Sequence, residues 1–417
     1  MGKKIFFSLC LVIFVDSISA GIIFPIMPEL FLDTQYGLVR SHSFISSSML
    51  YGLSFGLFPL ASFFGMPFLG TLSDHYGRRR ILILGLSGVC FSDLLACASI
   101  LLRDPCIFLL SRFIIGFFSA TYVVANAVIA DLSLDIKSKM NNFKWPTLAF
   151  VAGFVLGPLI GGSSSILQGA NSLTLPFLVV LCLSLFNLIL IYVLFTDIKS
   201  IDQKKHKAFR NQFRDIIDIF IDKSLRLLTI SYSLFQFAIG LFIQSISLFL
   251  ADTFNFNTKN IGIFFTVMCM GLALNILFIQ PLLSKYIKIN KLIISSIIIM
   301  SVMLLIEGIS VYVDDFIQID VRLVIWIASL IFYISMPFAT TGYTAVYSDF
   351  SDKERQGKTM GGLGQISSLM WFLASFFIGY LVLTHESLIL MLAGSLALIG
   401  ALILYMAFFK LTKIDSN

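Results

Sequence analysis

The chain has 417 residues, of which 58% are hydrophobic and only 12% are charged, and its mean hydropathy is +0.95. A soluble domain carries roughly a quarter charged residues, so this composition excludes a protein whose main solvent is water. The net charge of +6 comes from basic loops and does not indicate a nucleic-acid partner.

Apolar stretches close to the roughly 20 residues that cross a bilayer core recur along the whole chain. We predict an all-α integral membrane protein with twelve transmembrane helices, near residues 5–27, 49–72, 81–102, 106–130, 146–163, 174–196, 226–250, 260–284, 291–312, 323–347, 360–383 and 387–409. The hydrophilic segment 197–225 divides them into an N-terminal bundle over 1–196 and a C-terminal bundle over 226–417. Within that central loop, residues 210–222 have apolar positions at helical spacing, which favours a short helix on the membrane surface.

The loops alternate in their content of lysine and arginine. One side of the membrane receives 24 of these residues and the other side four, and Arg112 lies within a span, which accounts for all 29. Because basic loops stay on the cytoplasmic side, we expect both termini in the cytoplasm and the protein in the inner or plasma membrane. The cysteines and histidines lack the spacing of a disulfide framework or a zinc site, so we expect no metal and no cofactor.

Four charged residues fall inside the predicted spans, where each is costly enough to be a functional candidate. They are Asp16 in helix 1, Asp93 in helix 3, Arg112 in helix 4 and Glu307 in helix 9. Buried carboxylates near an arginine suit a group that binds and releases protons. The alternative is a static buried ion pair that locks helices together. For Glu307, near the outer end of its helix, a further alternative is that it reaches the membrane interface.

Between helices 2 and 3, residues 70–80 read GTLSDHYGRRR. We expect Gly70 to let a neighbouring backbone approach, Asp74 to favour a facing helix N-terminus and Gly77 to permit a tight turn. The alternative for the arginine run is a basic loop that only sets topology.

Helices 4 and 5 carry two further patterns. Helix 4 contains RFIIG, from Arg112 to Gly116, and VIAD, which ends at Asp131. Helix 5 contains GFVLGPLIGG over 153–162, with glycines at 153, 157, 161 and 162 and a proline at 158. We expect Gly153, Gly157 and Gly161 to let another helix pack at backbone distance and Pro158 to favour a kink. An ordinary small-residue packing face is the alternative.

Uncharged polar residues inside the spans are also expensive when they face lipid, so we expect them to point to a cavity or another helix. They are Asn126, Gln236, Gln244, Asn275 and Gln280. A substrate site at the membrane midplane would draw on them and on Tyr122, Phe235 and Tyr343, although hydrogen bonding between helices is the alternative for each. The segment QGKTMGG at 356–362 lacks the first glycine of a phosphate loop, so we predict no ATP site.

GTLSDHYGRRR resembles the signature loop of the major facilitator superfamily, G-x-L-x-D-x-x-G-R-[RK]-x. RFIIG resembles the arginine motif of helix 4 in that family, and GFVLGPLIGG resembles the antiporter motif of helix 5. In helix 1, DSISAGIIFPIMP (16–28) has the spacing seen in tetracycline/proton antiporters. The resemblance is strong over residues 1–165 and fades in the second half.

The resemblance implies two six-helix bundles related by pseudo-two-fold symmetry. It also implies a cytoplasmic gate formed by Asp74, Arg78 and Asp131, and a helix 5 that limits leak. Energy would come from an ion gradient, without an ATPase subunit.

The function expected from the resemblance is proton-coupled export of a small amphipathic organic molecule by alternating access, with the lipid bilayer, the substrate and protons as partners. Uptake of a nutrient, metabolite or metal chelate on the same fold is the alternative. A membrane scaffold or sensor is a third possible class of protein. It is disfavoured because it would not explain Asp16, Asp93 and Arg112 inside the spans. An enzyme is not expected.

Overall fold

The computed structural model describes residues 2–32, 37–39, 46–119, 121–131, 136–163, 170–195, 225–312, 320–350, 356–381 and 386–414. The helices in these ranges are α1 (Gly2–Leu32), α2 (Ser47–Tyr76), α3 (Arg78–Leu102), α4 (Pro105–Phe118), α5 (Thr121–Asp131), α6 (Ile136–Gly162), α7 (Ala170–Leu194), α8 (Arg226–Phe254), α9 (Thr258–Leu274), α10 (Gln280–Leu283), α11 (Ile289–Ser310), α12 (Val321–Phe350), α13 (Gln356–Leu381) and α14 (Glu386–Ile414). A five-residue π-helix, Asn275–Ile279, joins α9 to α10.

Within the described ranges, twelve helical segments are long and apolar enough to cross a membrane by length and composition. The fourth combines α4 with α5, and the eighth combines α9, the π-helix and α10. Each segment coincides with a predicted span to within a few residues, so the prediction of twelve spans is confirmed. The predicted surface helix at 210–222 lies outside the described residues, as does nearly all of the central loop.

The chain divides into two compact units. The first comprises Met1–Phe209 together with Asn255–Thr266, and the second comprises Arg210–Phe254 together with Val267–Asn417. The start of α9 belongs to the first unit, where Thr258 donates a hydrogen bond to Glu29 of α1. The bundle limits expected from the sequence stay predictions.

Local sequence explains where several helices begin and end. Gly77 separates α2 from α3 with a φ of 95°, a backbone conformation that only glycine adopts at little cost, so the predicted turn is confirmed. Asp104 accepts a hydrogen bond from the amide of Cys106 at 2.8 Å, and Pro105 occupies the first turn of α4, which is a favoured start for a helix.

Glycines set the spacing between α2 and α4 in the first unit. A Cβ atom at Gly65 would lie 2.1 Å from the main-chain oxygen of Phe117, and one at Gly116 would lie 2.3 Å from that of Phe58. The backbones of the two helices therefore touch at these positions, and Gly116 of the RFIIG motif has a packing role. This close approach brings Arg112, one turn before Gly116, against α2.

Candidate functional site

Asp16 lies midway along α1, on the side that faces α5. Its Oδ2 atom accepts a hydrogen bond of 2.8 Å from the hydroxyl of Thr121, the first residue of α5. The side chain is half-buried.

Asp93 lies midway along α3 and is 3% exposed. Its Oδ2 atom accepts a hydrogen bond of 3.2 Å from the hydroxyl of Ser184 on α7. Asp93 is close enough to both Asp16 and Arg112 for electrostatic interaction. The structure therefore brings together three of the four charges that the sequence indicated.

Arg112 approaches this cluster from α4 and is 7% exposed. Its Nε atom donates to the main-chain oxygen of Ser54 on α2 at 3.2 Å, and its guanidinium carbon lies 5.2 Å from the ring centroid of Phe58, within the range of a cation–π contact. Among the described side chains, Arg112 forms no ion pair with Asp16 or Asp93. This result does not support the alternative of a static buried ion pair.

A small cavity lies between Asp93 and Arg112. Three serines, at 19, 92 and 111, contribute to its wall. Its volume is about 10 Å³, which is close to the smallest space that holds one water molecule. A carboxyl group and hydroxyl groups around such a space form an arrangement in which a proton can be exchanged, and the guanidinium of Arg112, which stays protonated, acts there only through its charge.

An ion pair joins the end of α2 to the start of α3. Asp74 Oδ1 lies 2.7 Å from Arg78 Nη1, and Asp74 is 57% exposed. The same Nη1 atom donates to the hydroxyl of Ser73 at 2.6 Å. The side chain of Asp131, which ends α5, lies outside the described side chains, so the predicted three-residue gate remains a prediction. The expected close approach at Gly70 is not found, because no described atom lies within 4 Å of a Cβ built there.

The glycines of α6 pack against α1. A Cβ atom at Gly153, Gly157 or Gly161 would lie 2.6 to 2.8 Å from a main-chain atom of α1, so packing at backbone distance is confirmed for this face. Pro158 contributes to the same contact, since its Cδ atom lies 2.9 Å from a Cβ built at Gly21. Gly162 instead faces the start of α9, where a Cβ built on it would lie 3.1 Å from the Cα atom of Gly262.

The α6 face supports the part of α1 that carries Asp16. A Cβ at Gly153 would meet Phe14, Ser17 and Ile18, which lie on either side of this aspartate in sequence. The glycine motif therefore fixes the position of α1 at the level of the charge cluster.

Four candidates for the substrate cavity in the second unit are buried and contact neighbouring helices. Phe235 and Tyr343 pack with ring centroids 5.3 Å apart. Gln236 accepts a hydrogen bond from Trp371 of α13 at 3.1 Å, and Gln244 donates to the main-chain oxygen of Trp371 at 3.3 Å. These contacts correspond to the alternative of bonding between helices.

The remaining cavity candidates behave differently from one another. Asn275 is fully buried and donates to the main-chain oxygen of Ile334 on α12. Asn126 is half-buried and donates to the main-chain oxygen of Tyr122 one turn earlier, so its side chain bonds its own helix rather than another. Tyr122 itself is exposed.

Glu307 is the fourth charge, and it lies apart from the cluster, in the second unit. It is 0% exposed, so the alternative that it reaches the membrane interface is wrong. Its Oε1 atom accepts a hydrogen bond of 2.8 Å from the hydroxyl of Ser329 on α12.

Sequence reasoning missed the hydroxyl partners of the carboxylates, namely Thr121, Ser184 and Ser329. It also missed Asn187, one turn beyond Ser184 on α7, which is fully buried with no hydrogen-bond partner among the described residues. An asparagine in an apolar span is a signal from which the sequence could have identified Asn187. A serine or threonine gives almost no such signal, because many of them bond to their own helix, as Ser17 does to Ile13.

Comparisons with known proteins place these features in a family. A profile described as Major Facilitator Superfamily matches residues 9–375. The chain is 34% identical over 177 residues to the class C tetracycline resistance protein of Escherichia coli, a match that covers 42% of this chain and 40% of that protein. It is 26% identical over 407 residues to the quinolone resistance protein NorA of Staphylococcus aureus strain COL, covering 97% of this chain and 96% of NorA. The chain therefore matches less than two thirds of the length of the class C protein.

Solved structures share the fold at low sequence identity. The nucleoside transporter NupG has a TM-score of 0.73 and 13% identity, with 97% of this chain and 99% of that chain covered. A D-xylose-proton symporter has a TM-score of 0.75 and 14% identity, with 96% and 97% covered. The human organic anion transporter MFSD10 has a TM-score of 0.69 and 18% identity, with 96% and 99% covered. At these identities the likeness shows the fold alone.

Proposed function

This chain belongs to the Major Facilitator Superfamily, and from this premise we propose that it is a proton-coupled exporter of small amphipathic organic molecules that works by alternating access. It is a multi-pass membrane transporter and not an enzyme. The proposal includes an inner-membrane location with both termini in the cytoplasm. Two of its relatives are named for resistance to tetracycline and to quinolones, and export is one way in which a transporter confers resistance.

One observation carries the proposal. Two buried or half-buried carboxylates each have a hydroxyl as hydrogen-bond partner, and a single arginine lies nearby without an ion pair to either of them among the described side chains. A hydroxyl can donate to an ionised carboxylate and accept from a protonated one, so either form is accommodated. An arginine in direct contact would instead hold the carboxylate in its ionised form.

Each group then has a defined part in the cycle. A proton bound at Asp93 removes a charge and so weakens the attraction between that carboxylate and Arg112, whereas a proton bound at Asp16 removes the repulsion between the two carboxylates. A ligand shifts a conformational equilibrium only through its different affinity for the two states, and a change of charge in a low-dielectric site supplies such a difference. Proton binding at the cluster would thus favour one of the two access states.

The proton gradient supplies enough free energy for export. One proton that moves down one pH unit and about 100 mV releases about 3.7 kcal/mol. Since about 1.4 kcal/mol corresponds to a factor of ten, a single coupled proton supports an outward concentration ratio of about 500.

We propose the experiment in everted membrane vesicles that contain a pH-sensitive dye. Addition of tetracycline or a quinolone to energised vesicles with the wild-type protein is expected to release protons from the vesicle interior. Asp16→Asn and Asp93→Asn are each expected to abolish or greatly reduce this signal. Asp104→Asn is the matched control, because this aspartate is a partly exposed helix cap and asparagine caps equally well.

Two results would count against the proposal. If both cluster variants keep wild-type proton-coupled rates, the coupling site lies elsewhere in the chain. If a broad panel of compounds gives only gradient-driven accumulation inside intact cells, the uptake alternative replaces export.

A further inference from the structure

Glu307 has an unusual environment for a carboxylate. It lies in the last turn of α11 and is completely buried. One carboxylate oxygen accepts the hydrogen bond from Ser329, and the other, Oε2, has no hydrogen-bond partner among the described residues. Within the same residues, no lysine, arginine or histidine forms an ion pair with it.

Among the described residues of the helices around Glu307, no cation lies within ion-pair distance of its carboxylate. On the α14 side, a Cβ at the adjacent Gly308 would lie 2.5 Å from Met391 and 3.0 Å from the main-chain oxygen of Ser387, and neither side chain titrates. On α12, Tyr333 interacts electrostatically with Glu307 and with Cys269 of α9. A phenol and a thiol are ordinarily neutral at physiological pH.

An ionised carboxylate in this place would lose its hydration without gaining a cation. A bound proton removes that charge and turns one carboxyl oxygen into a hydrogen-bond donor. We propose that Glu307 is a second proton-binding site, separate from the cluster of Asp16, Asp93 and Arg112, and that it gains and loses a proton during transport. The gain and loss of this proton during transport rests on the proposed function, whereas the binding of the proton does not.

The position of Glu307 gives its proton a short route to the end of the helix. Ser310, where α11 ends, comes three positions later in the chain, a rise of about 5 Å. Tyr312, just beyond, is exposed and accepts a hydrogen bond from Ser387 at 2.9 Å. The positive-inside assignment places this end of α11 on the outer side of the membrane. Glu307 would therefore receive its proton from the side where the proton concentration is higher.

The first test needs no substrate. Purified wild-type protein and Glu307→Gln in liposomes are titrated with alkali while the C=O stretching band of protonated carboxyl groups is recorded by infrared difference spectroscopy. We expect the band of the wild-type protein to lose more intensity than that of the variant, by the amount that one carboxyl group contributes. Identical titrations of the two proteins would overturn the proposal.

A second pair of variants protects this test against a folding defect in Glu307→Gln. Ser329→Ala removes the hydroxyl that donates to Glu307 and is expected to move the midpoint of the same band. Ser395→Ala is the control, because that exposed serine bonds its own helix, at the main-chain oxygen of Met391. Equal midpoints in both serine variants would also overturn the assignment.

The transport test separates a cycling proton from a permanently bound one. Glutamine has nearly the shape of a protonated glutamate but cannot release a proton. We expect Glu307→Gln to lower gradient-driven transport of tetracycline or a quinolone at least about tenfold, while counterflow, which needs no net proton movement, persists. Full gradient-driven transport by this variant overturns the cycling role. If instead the wild-type protein exports no compound of the broad panel, the proposed function fails, and the infrared titration still decides whether Glu307 binds a proton.

Discussion

At the level of single residues, three carboxylates held among the spans each accept a hydrogen bond from a hydroxyl on a neighbouring helix. The pairs are Asp16 with Thr121, Asp93 with Ser184 and Glu307 with Ser329. The carboxylates can be predicted from the sequence, because a charged side chain in an apolar span has a large free-energy cost in lipid. The hydroxyls cannot be predicted in this way, since a serine or threonine satisfies itself on its own helix at little cost.

The ion pair between Asp74 and Arg78 leads to a prediction about function rather than stability. A pair four residues apart and more than half exposed on one side contributes only about 0.3–0.5 kcal/mol. We therefore expect Asp74→Asn to leave membrane insertion and thermal stability almost unchanged and to reduce transport strongly, as a role in the cytoplasmic gate requires. Transport rate and melting temperature measured on one preparation check this, with Asp104→Asn as the control. Full transport by Asp74→Asn would indicate that the segment 70–80 only sets the topology of the chain and has no part in a gate.

At the level of helices, hydropathy locates the spans well but not their interruptions. The first helix of the fourth span, α4, ends at Phe118, and the hydroxyl of the next residue, Ser119, bonds the main-chain oxygen of Gly116 at 2.7 Å. The π-helix begins at Asn275, whose side chain bonds α12. Both features coincide with single hydrogen bonds inside a span, and an average over some 20 residues does not register such local contacts.

The glycine spacing of α6 did predict a helix contact, and the structure identifies α1 as the partner. We expect Gly157→Leu to disrupt proton coupling, because its Cβ would already lie 2.8 Å from the Cα of Gly21 and would push α1, with Asp16, away from Thr121. Overpacking of this kind costs about 1–3 kcal/mol, so the variant should still insert. The measurement is proton release in everted vesicles.

Gly364→Leu in α13 is the matched control for that prediction. No described atom lies within 4 Å of a Cβ at Gly364, so the same added volume meets open space there. Equal loss of coupling in the two variants would show that leucine is harmful in any helix, and that the contact between α6 and α1 has no special part.

At the level of the whole molecule, the charge distribution of the loops makes the orientation testable. The count of 24 basic residues against four predicts that both termini and the central loop are cytoplasmic. We expect a cysteine placed at Lys205, in a background without the native cysteines, to resist an impermeant thiol reagent added to intact cells and to react once the cells are opened. Strong labelling from outside would reverse the orientation.

The direction of transport is the last prediction, and it concerns the whole cycle rather than any one contact. The fold serves both directions, so geometry alone does not decide between export and uptake. Export against a gradient requires the protein to couple each outward step to an inward proton. Cells that overproduce the protein should therefore hold less tetracycline or quinolone than control cells, and should accumulate more when an uncoupler collapses the proton gradient. Asp93→Asn cells, treated in the same way, should hold as much compound as the controls before and after the uncoupler. Uptake predicts the opposite change in the wild-type cells, with accumulation that falls when the gradient is lost.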